Sequence, residues 1–295
     1  MKRVILCVDD FGLKPEVNEA VAELADAGVV SATGCMSQGP AWREGAGLLK
    51  GERRHRLDVG LHFNLTEPFA GAWSMPLARV IGLACVHAIN PQALQRAVCT
   101  QLDAFEDAWG AAPDFVDGHQ HVHQLPQVRQ VLLSELQRRY GGTSHDRPGA
   151  ATGTLPWLRH TRAGHDGAGV DFKQRVIEAL GAAPLAQQAR AAGFRLNGAL
   201  WGVYGFDADT AGYAQRLRAW LARAQEGDVL MMHPAMPAKA AAPSVKPGTG
   251  EIEDPIADPI ADARVVEYTV LREKGGEMLA QAGVQAGRMA GIPIC

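Results

Sequence analysis

The 295-residue sequence predicts an α/β fold with a largely parallel sheet, rolled into a barrel or a barrel missing one strand. Three observations carry this. Short apolar, β-branched runs alternate with stretches of helical periodicity along the chain. Each cluster of chemistry-bearing polar residues follows an apolar run, as sites do at the C-terminal strand ends of barrels. No clear linker divides the chain, so 1–295 reads as one domain.

The elements follow in order. Val4–Val8 is a short buried strand that ends in the acidic pair Asp9-Asp10. Asn18–Ala27 keeps Ala20, Val21, Leu24 and Ala27 on one helical face, and Gly28 stops it. Val29–Met36 and Leu57–Leu65 are the next strands. Pro91–Trp109 is strongly amphipathic, with Leu94, Val98, Leu102, Phe105 and Trp109 at three- and four-residue steps. "PDFVDGHQHVHQLP" reads as a strand running into a loop. Gln127–Tyr140 is a helix, and so are Gln187–Ala192 and Ala211–Ala224. Phe194–Ala199 and Asp228–His233 are strands. Arg264–Leu271 and Gly276–Ala282 are helical. Segments 69–90, 141–169 and 235–262 read as covers or functional loops, because irregular stretches this long are uncommon otherwise.

Composition excludes several classes. Hydrophobic content of 47% and charged content of 21% suit a soluble globular chain. A net charge of −3 leaves no basic excess to neutralise phosphates, so nucleic acid is not an expected partner. Five scattered cysteines without a CxxC pair form no disulfide framework, which points to a reducing, cytoplasmic location. No apolar run is long enough to span a membrane, and Asp9 cuts the N-terminal run too early for a signal peptide.

Four polar clusters stand at presumed strand ends: Asp9-Asp10, His62, Asp117 with His119, His121 and His123, and His233. Carboxylate plus imidazole is a ligand set for Zn²⁺ and also for Mn²⁺, Fe²⁺ or Co²⁺. Asp117 and the three histidines share one parity and line one face if the stretch is extended. Burying four such groups without a metal or partner is costly. A lone His233 fits a packed strand-end histidine or a general acid or base. The remaining histidines read as surface or packing residues.

"VDDFG", "GLHFNLT", "DGHQHVHQLP" and "MHP" occur in order across nearly the whole chain. Together they resemble the YdjC-like carbohydrate deacetylases. Two departures stand out. Gly118 and Gln120 replace the serine and histidine of the family's "DSHHHVH", and Ala235 follows Pro234 where the family has glycine. The resemblance implies a distorted (β/α) barrel of the polysaccharide-deacetylase-like type. It also implies metal-dependent removal of an N-acetyl group from an amino sugar. Carried over by position, Asp10, His62 and His119 hold one divalent metal ion, Zn²⁺ or Mg²⁺ first, with His123 as reserve ligand. Asp9 is then the general base, His233 the general acid, and Asp117 orients a ligating histidine.

"GFRLNGALWGVYGFD" resembles the branch of the family associated with hopanoid biosynthesis. That implies an N-acetylglucosaminyl hopanoid substrate, with Arg195, Trp201, Tyr204 and Asp207 as substrate contacts and transient contact with the inner membrane surface. The aliphatic stretch 69–90 agrees with an apolar cover beside the site. The alternatives are a chitooligosaccharide deacetylase, a metal-dependent phosphoesterase, and a non-catalytic carbohydrate- or lipid-binding protein.

Overall fold

Strand β1 (Lys2–Phe11) lies in the interior of the sheet, with a neighbour on each side. The computed structural model describes residues 1–142, 155–164, 172–238 and 258–292. The remaining strands are β2 (Ala32–Cys35), β3 (Asp58–Phe63), β4 (Phe115–Gly118), β5 (Trp157–Leu158), β6 (Leu200–Trp201), β7 (Val229–Met232) and β8 (Val284–Ala286). The sheet runs β5-β4-β3-β2-β1-β7-β6, with β8 added to the start of β1. All of its pairings are parallel. Its two outer edges approach through parallel bridges at Leu158–Leu196 and Ala163–Leu200, so the sheet curls into a distorted barrel. Strands β2 to β7 and β1 from Val4 onward are buried on both faces and read as near-continuous apolar runs for that reason.

Helices fill the crossovers: α1 (Pro15–Asp26), the short α2 (Trp42–Gly45) and α3 (Arg53–Arg56), α4 (Leu77–Cys85), α5 (Pro91–Trp109) and α6 (Val128–Tyr140). Then come α7 (Phe172–Ala179), α8 (Ala182–Ala191), α9 (Thr210–Arg223) and α10 (Ala261–Gln281). Helix α5 shows why its limits were legible. Asn90 caps the Ala93 amide at 2.9 Å, Pro91 occupies the first turn, and Gly110 ends it in the left-handed region at φ 81°. Its face of Leu94, Val98, Leu102 and Phe105 is fully buried.

Three sequence expectations need correction. Residues 194–199 do not form a strand; only Leu196 makes a bridge, and the strand proper is β6. The two C-terminal helices are one, because α10 runs unbroken through Gly275-Gly276. Gly275 has a packing reason, since a Cβ there would lie 2.8 Å from Val29. Segment 141–169 is not wholly a cover: residues 157–163 complete the sheet edge, while 143–154 and 165–169 lie outside the described residues. Of the expected cover 235–262, residues 239–257 also lie outside them. No helix among the described residues is long and apolar enough to cross a membrane.

Candidate metal centre and active site

The tip of β1 explains the acidic pair. Neighbouring side chains on a strand point to opposite faces. Here the pairing register with β2 shifts between Val8 and Phe11, and Asp10 takes a left-handed φ of 68°. Such a bulge re-aims side chains, and both carboxylates turn to one end of the barrel. Each is at most 2% exposed.

His62 and Asp117 are cross-strand neighbours on β3 and β4, and His62 Nδ1 lies 2.7 Å from Asp117 Oδ1. That contact fixes the ring and aims Nε2 at Asp10 Oδ1, 3.4 Å away. Gly34 on β2 makes the room: a Cβ there would stand 3.0 Å from His62 Nδ1. His119 Nδ1 approaches the same Asp10 oxygen at 3.0 Å, and its Nε2 meets Glu67 at 3.1 Å. Donor atoms of Asp10, His62 and His119 all lie within 4.8 Å of one another.

The shared parity of the three histidines does not survive. Gln120 and His121 both adopt left-handed backbone, at φ 50° and 60°, so the strand rule lapses after His119. His119 faces Asp10, and His121 lines the cavity. His123 turns back into the protein, its Nε2 2.9 Å from the Arg159 carbonyl. Its burial lowers the imidazole to about 4, so it is neutral and donates there. The reserve-ligand expectation for His123 is therefore corrected. Gly118 allows this close return, because a Cβ at that position would sit 2.8 Å from the His123 amide nitrogen.

Two guanidiniums frame the carboxylates, and sequence reasoning missed both. Arg159, fully buried just past β5, reaches the two oxygens of Asp9 at 2.6 Å each and Asp117 at 2.7 Å. Arg264 on α10 holds Asp10 Oδ2 at 2.6 Å and Asp258 at 2.7 Å. Neither arginine had a local motif to mark it; each meets a carboxylate more than a hundred residues away. Glu67, directly after the "GLHFNLT" motif, was the one missed residue with a sequence signal.

The charges suit a divalent cation. Asp9, Asp10, Asp117 and Asp258 share two arginines, an excess of two negative charges in a buried cluster. Burial alone would lower the His62 imidazole, but the carboxylates of Asp117, Asp9 and Asp10 overcome it and push it up to about 10. The group thus recruits a proton when it has no cation. Two imidazole nitrogens and one carboxylate oxygen converge there, a donor set that fits such an ion.

His233 follows β7 on the far side, its Nε2 4.0 Å from Asp9 Oδ2. Burial lowers it to about 4, against the raising fields of Asp10 and Asp9. Its backbone amide donates to Glu267 at 2.6 Å. A cavity of about 430 Å³ opens between Asp9, Asp10, His62, His119 and His233. Its outer wall is apolar, with Leu77 and Ile81 of α4 facing Val176, Ile177 and Leu180.

The expected substrate contacts separate. Tyr204 lines the cavity and gives its hydroxyl to Glu267 at 2.7 Å. Trp201 does not, because its indole donates to Asp228 at 2.8 Å, at the opposite end of β7 from His233. Arg195 is bound to the carbonyls of Met289 and Ile292, at 3.1 and 2.9 Å, beyond the start of β3. The Asp207 side chain is 71% exposed, with Arg216 3.9 Å away. None of these three lines the cavity: Trp201 and Arg195 are taken up in packing contacts, and Asp207 stands at the surface.

The sequence profile of the YdjC-like proteins matches residues 3–280. The chain belongs to the YdjC-like family. This YdjC-like chain is 32% identical over 314 residues to a carbohydrate deacetylase of Mus musculus, covering 96% of this chain and 92% of that one. It is 30% identical to a chitooligosaccharide deacetylase of an Enterobacter strain over 151 residues, 47% of this chain and 57% of the other. In fold it is similar to an Enterococcus faecalis protein assigned to cellobiose-phosphate cleavage, with a TM-score of 0.64, 18% identity and 97% of both chains covered.

Proposed function

We propose that this YdjC-like protein is a divalent-metal-dependent hydrolase that removes the N-acetyl group from amino sugars, with chitooligosaccharide-type sugars as substrate. The observation that carries this is the convergence of Asp10, His62 and His119 beside the Asp9–His233 pair in one cavity. The similarity to proteins named carbohydrate and chitooligosaccharide deacetylases supports it.

Asp10, His62 and His119 hold the cation, with Asp117 fixing the His62 ring. A divalent cation there supplies Lewis acidity and a more acidic water. Asp9, pinned by Arg159, takes the proton of the attacking water. That proton is then a small movement from His233 Nε2. His233 is neutral at rest, so its acid form is made during turnover and delivers the proton to the departing amine.

A second reading has its own observation. The outer wall includes Leu77 and Ile81 from the stretch expected to cover the site, and on α7 Val176 is 43% and Phe172 81% exposed. An amino sugar bearing a lipid, such as an N-acetylglucosaminyl hopanoid, would lay its apolar part there and bring the protein to a membrane surface. A cytoplasmic location accords with the free Cys7, Cys35, Cys85 and Cys99 in either case.

Amine release tests both readings, measured after chelation and single add-back of Zn²⁺, Mg²⁺, Mn²⁺ or Co²⁺. N,N′-diacetylchitobiose and a long-chain alkyl glycoside of N-acetylglucosamine are the substrates. Faster release from chitobiose is expected. Preference for the alkyl glycoside selects the second reading, and no release with any cation rejects both.

A further inference from the structure

Asp10 offers its two oxygens to different partners. Oδ1 faces His62 Nε2 at 3.4 Å and His119 Nδ1 at 3.0 Å. Oδ2 is held at 2.6 Å by Arg264 Nη2. Arg264 is itself 3% exposed and divides its charge: Nε donates to Asp258 Oδ2 at 2.7 Å, and Nη1 lies 3.4 Å from the His233 carbonyl. Asp258 is 4% exposed in its side chain, and its backbone stretch lines the cavity with Pro259 and Ile260. A buried chain of alternating charge therefore runs Asp258–Arg264–Asp10 from the cavity wall into the ligand group.

A guanidinium fixed on one oxygen has two effects on a carboxylate ligand. It confines the ligand to its other oxygen. It also withdraws negative charge from whatever cation that oxygen meets. We propose that Arg264 is a built-in counter-charge that shares Asp10 with the site's divalent cation, and that Asp258, by drawing on Arg264, sets how tightly that cation is held. The inference rests on Asp10 being a metal ligand, as in the proposed function. Arg264 is a positioning residue here, since it reaches the reacting atoms only through Asp10.

The two ends of the chain predict opposite signs. Arg264→Met removes the competing charge and frees Oδ2, so the metal-stripped protein should bind Zn²⁺ or Mn²⁺ at least 10-fold tighter. Its cation-free form should melt earlier, because Asp10 and Asp258 lose their shared partner. Asp258→Asn leaves all of Arg264's charge on Asp10 and should weaken binding several-fold. Arg264→Lys, which keeps the charge without the forked contact, should fall between Arg264→Met and wild type; it also serves if the Met variant does not fold. Isothermal titration of the chelated proteins reads all three. A role in packing alone would move both ends of the chain in one direction, and that result, or unchanged affinities, overturns the inference. Turnover of chitobiose by wild type is followed in parallel. Wild type that turns over while the affinities fail to split overturns this inference and spares the function. Affinities that split as predicted without turnover sustain this inference and reject the function.

Discussion

Arg159 meets Asp9 through two parallel contacts of 2.6 Å, one to each carboxylate oxygen, across 150 positions of sequence. The same guanidinium touches Asp117 Oδ2 at 2.7 Å and Cys7 Sγ at 2.9 Å. One fully buried cation thus orients the proposed base and anchors the residue that orients His62.

Replacing Arg159 by Met should be severe for two separable reasons. Two buried carboxylates lose their partner, which destabilises by about 3–5 kcal/mol. Asp9 also loses its aim. Urea unfolding should show the first effect, and amine release, measured where the variant is still folded, should show at least a 100-fold loss. Arg159→Lys should recover much of the stability and little of the rate, because an ammonium cannot make the paired contact. Equal recovery of both would reduce Arg159 to a counter-ion.

Asp9→Asn tests the base without touching the ligand set. Cation binding should persist within a few-fold while turnover falls by about 10²–10⁴. Retained activity would move the base to another residue.

Gly34→Ala addresses the orientation of His62 from behind. The new methyl would lie 3.0 Å from His62 Nδ1 and 3.4 Å from Asp117 Oδ1. Displacing that contact should lower cation affinity about 10–100-fold, the usual effect of losing a partner that orients a ligand. Titration of the chelated protein checks it, and an unchanged affinity would show that the His62–Asp117 contact is not needed to aim the ring.

Glu267 gives a pH signature. Its burial raises the carboxyl to about 7, against the lowering contacts of the His233 amide and the Tyr204 hydroxyl. The folded state therefore prefers the neutral acid. Its stabilising contribution is full below the unfolded value near 4.5 and is lost as pH rises through about 7, a difference of about 3 kcal/mol. Glu267→Gln should flatten the wild-type decline in urea midpoint between pH 4.5 and 7. Parallel curves for the two proteins would place the titration elsewhere.

Gln120 is exposed yet holds a left-handed backbone, which costs about 1 kcal/mol for a residue with a Cβ. Gln120→Gly should melt at the same or a slightly higher temperature with activity kept. A clear loss of stability would mean that the side chain contributes more than its backbone conformation costs.

Much of this was legible in the sequence because it is written locally. Helix α5 carries its own cap, period and stop, and its predicted limits coincide with the structure. Asp10, His62 and His119 each end an apolar run or begin the turn after one, so the barrel rule gathers them at one end. Other features were hidden because they depend on distant residues. Strand β6 has two residues and β8 three, too short to show alternation. The equal parity of His119, His121 and His123 misled, because parity holds only while the backbone stays extended. Trp201 and Arg195 sit in a suggestive stretch, but Asp228 and the carbonyls near the end of the chain claim them. Arg159 and Arg264 stand in no recognisable motif, and only tertiary contact gives them meaning.

The charge chain also has a history in time. Arg264 leaves the ribosome 254 positions after Asp10. At bacterial-to-eukaryotic synthesis speeds that interval is roughly 10 to 50 seconds. Throughout it the growing chain carries an acidic pair on its central strand with no guanidinium from α10 to meet it. The Asp10–Arg264 pair therefore closes only after α10 has been made, and a chain that stops short of α10 lacks that counter-charge.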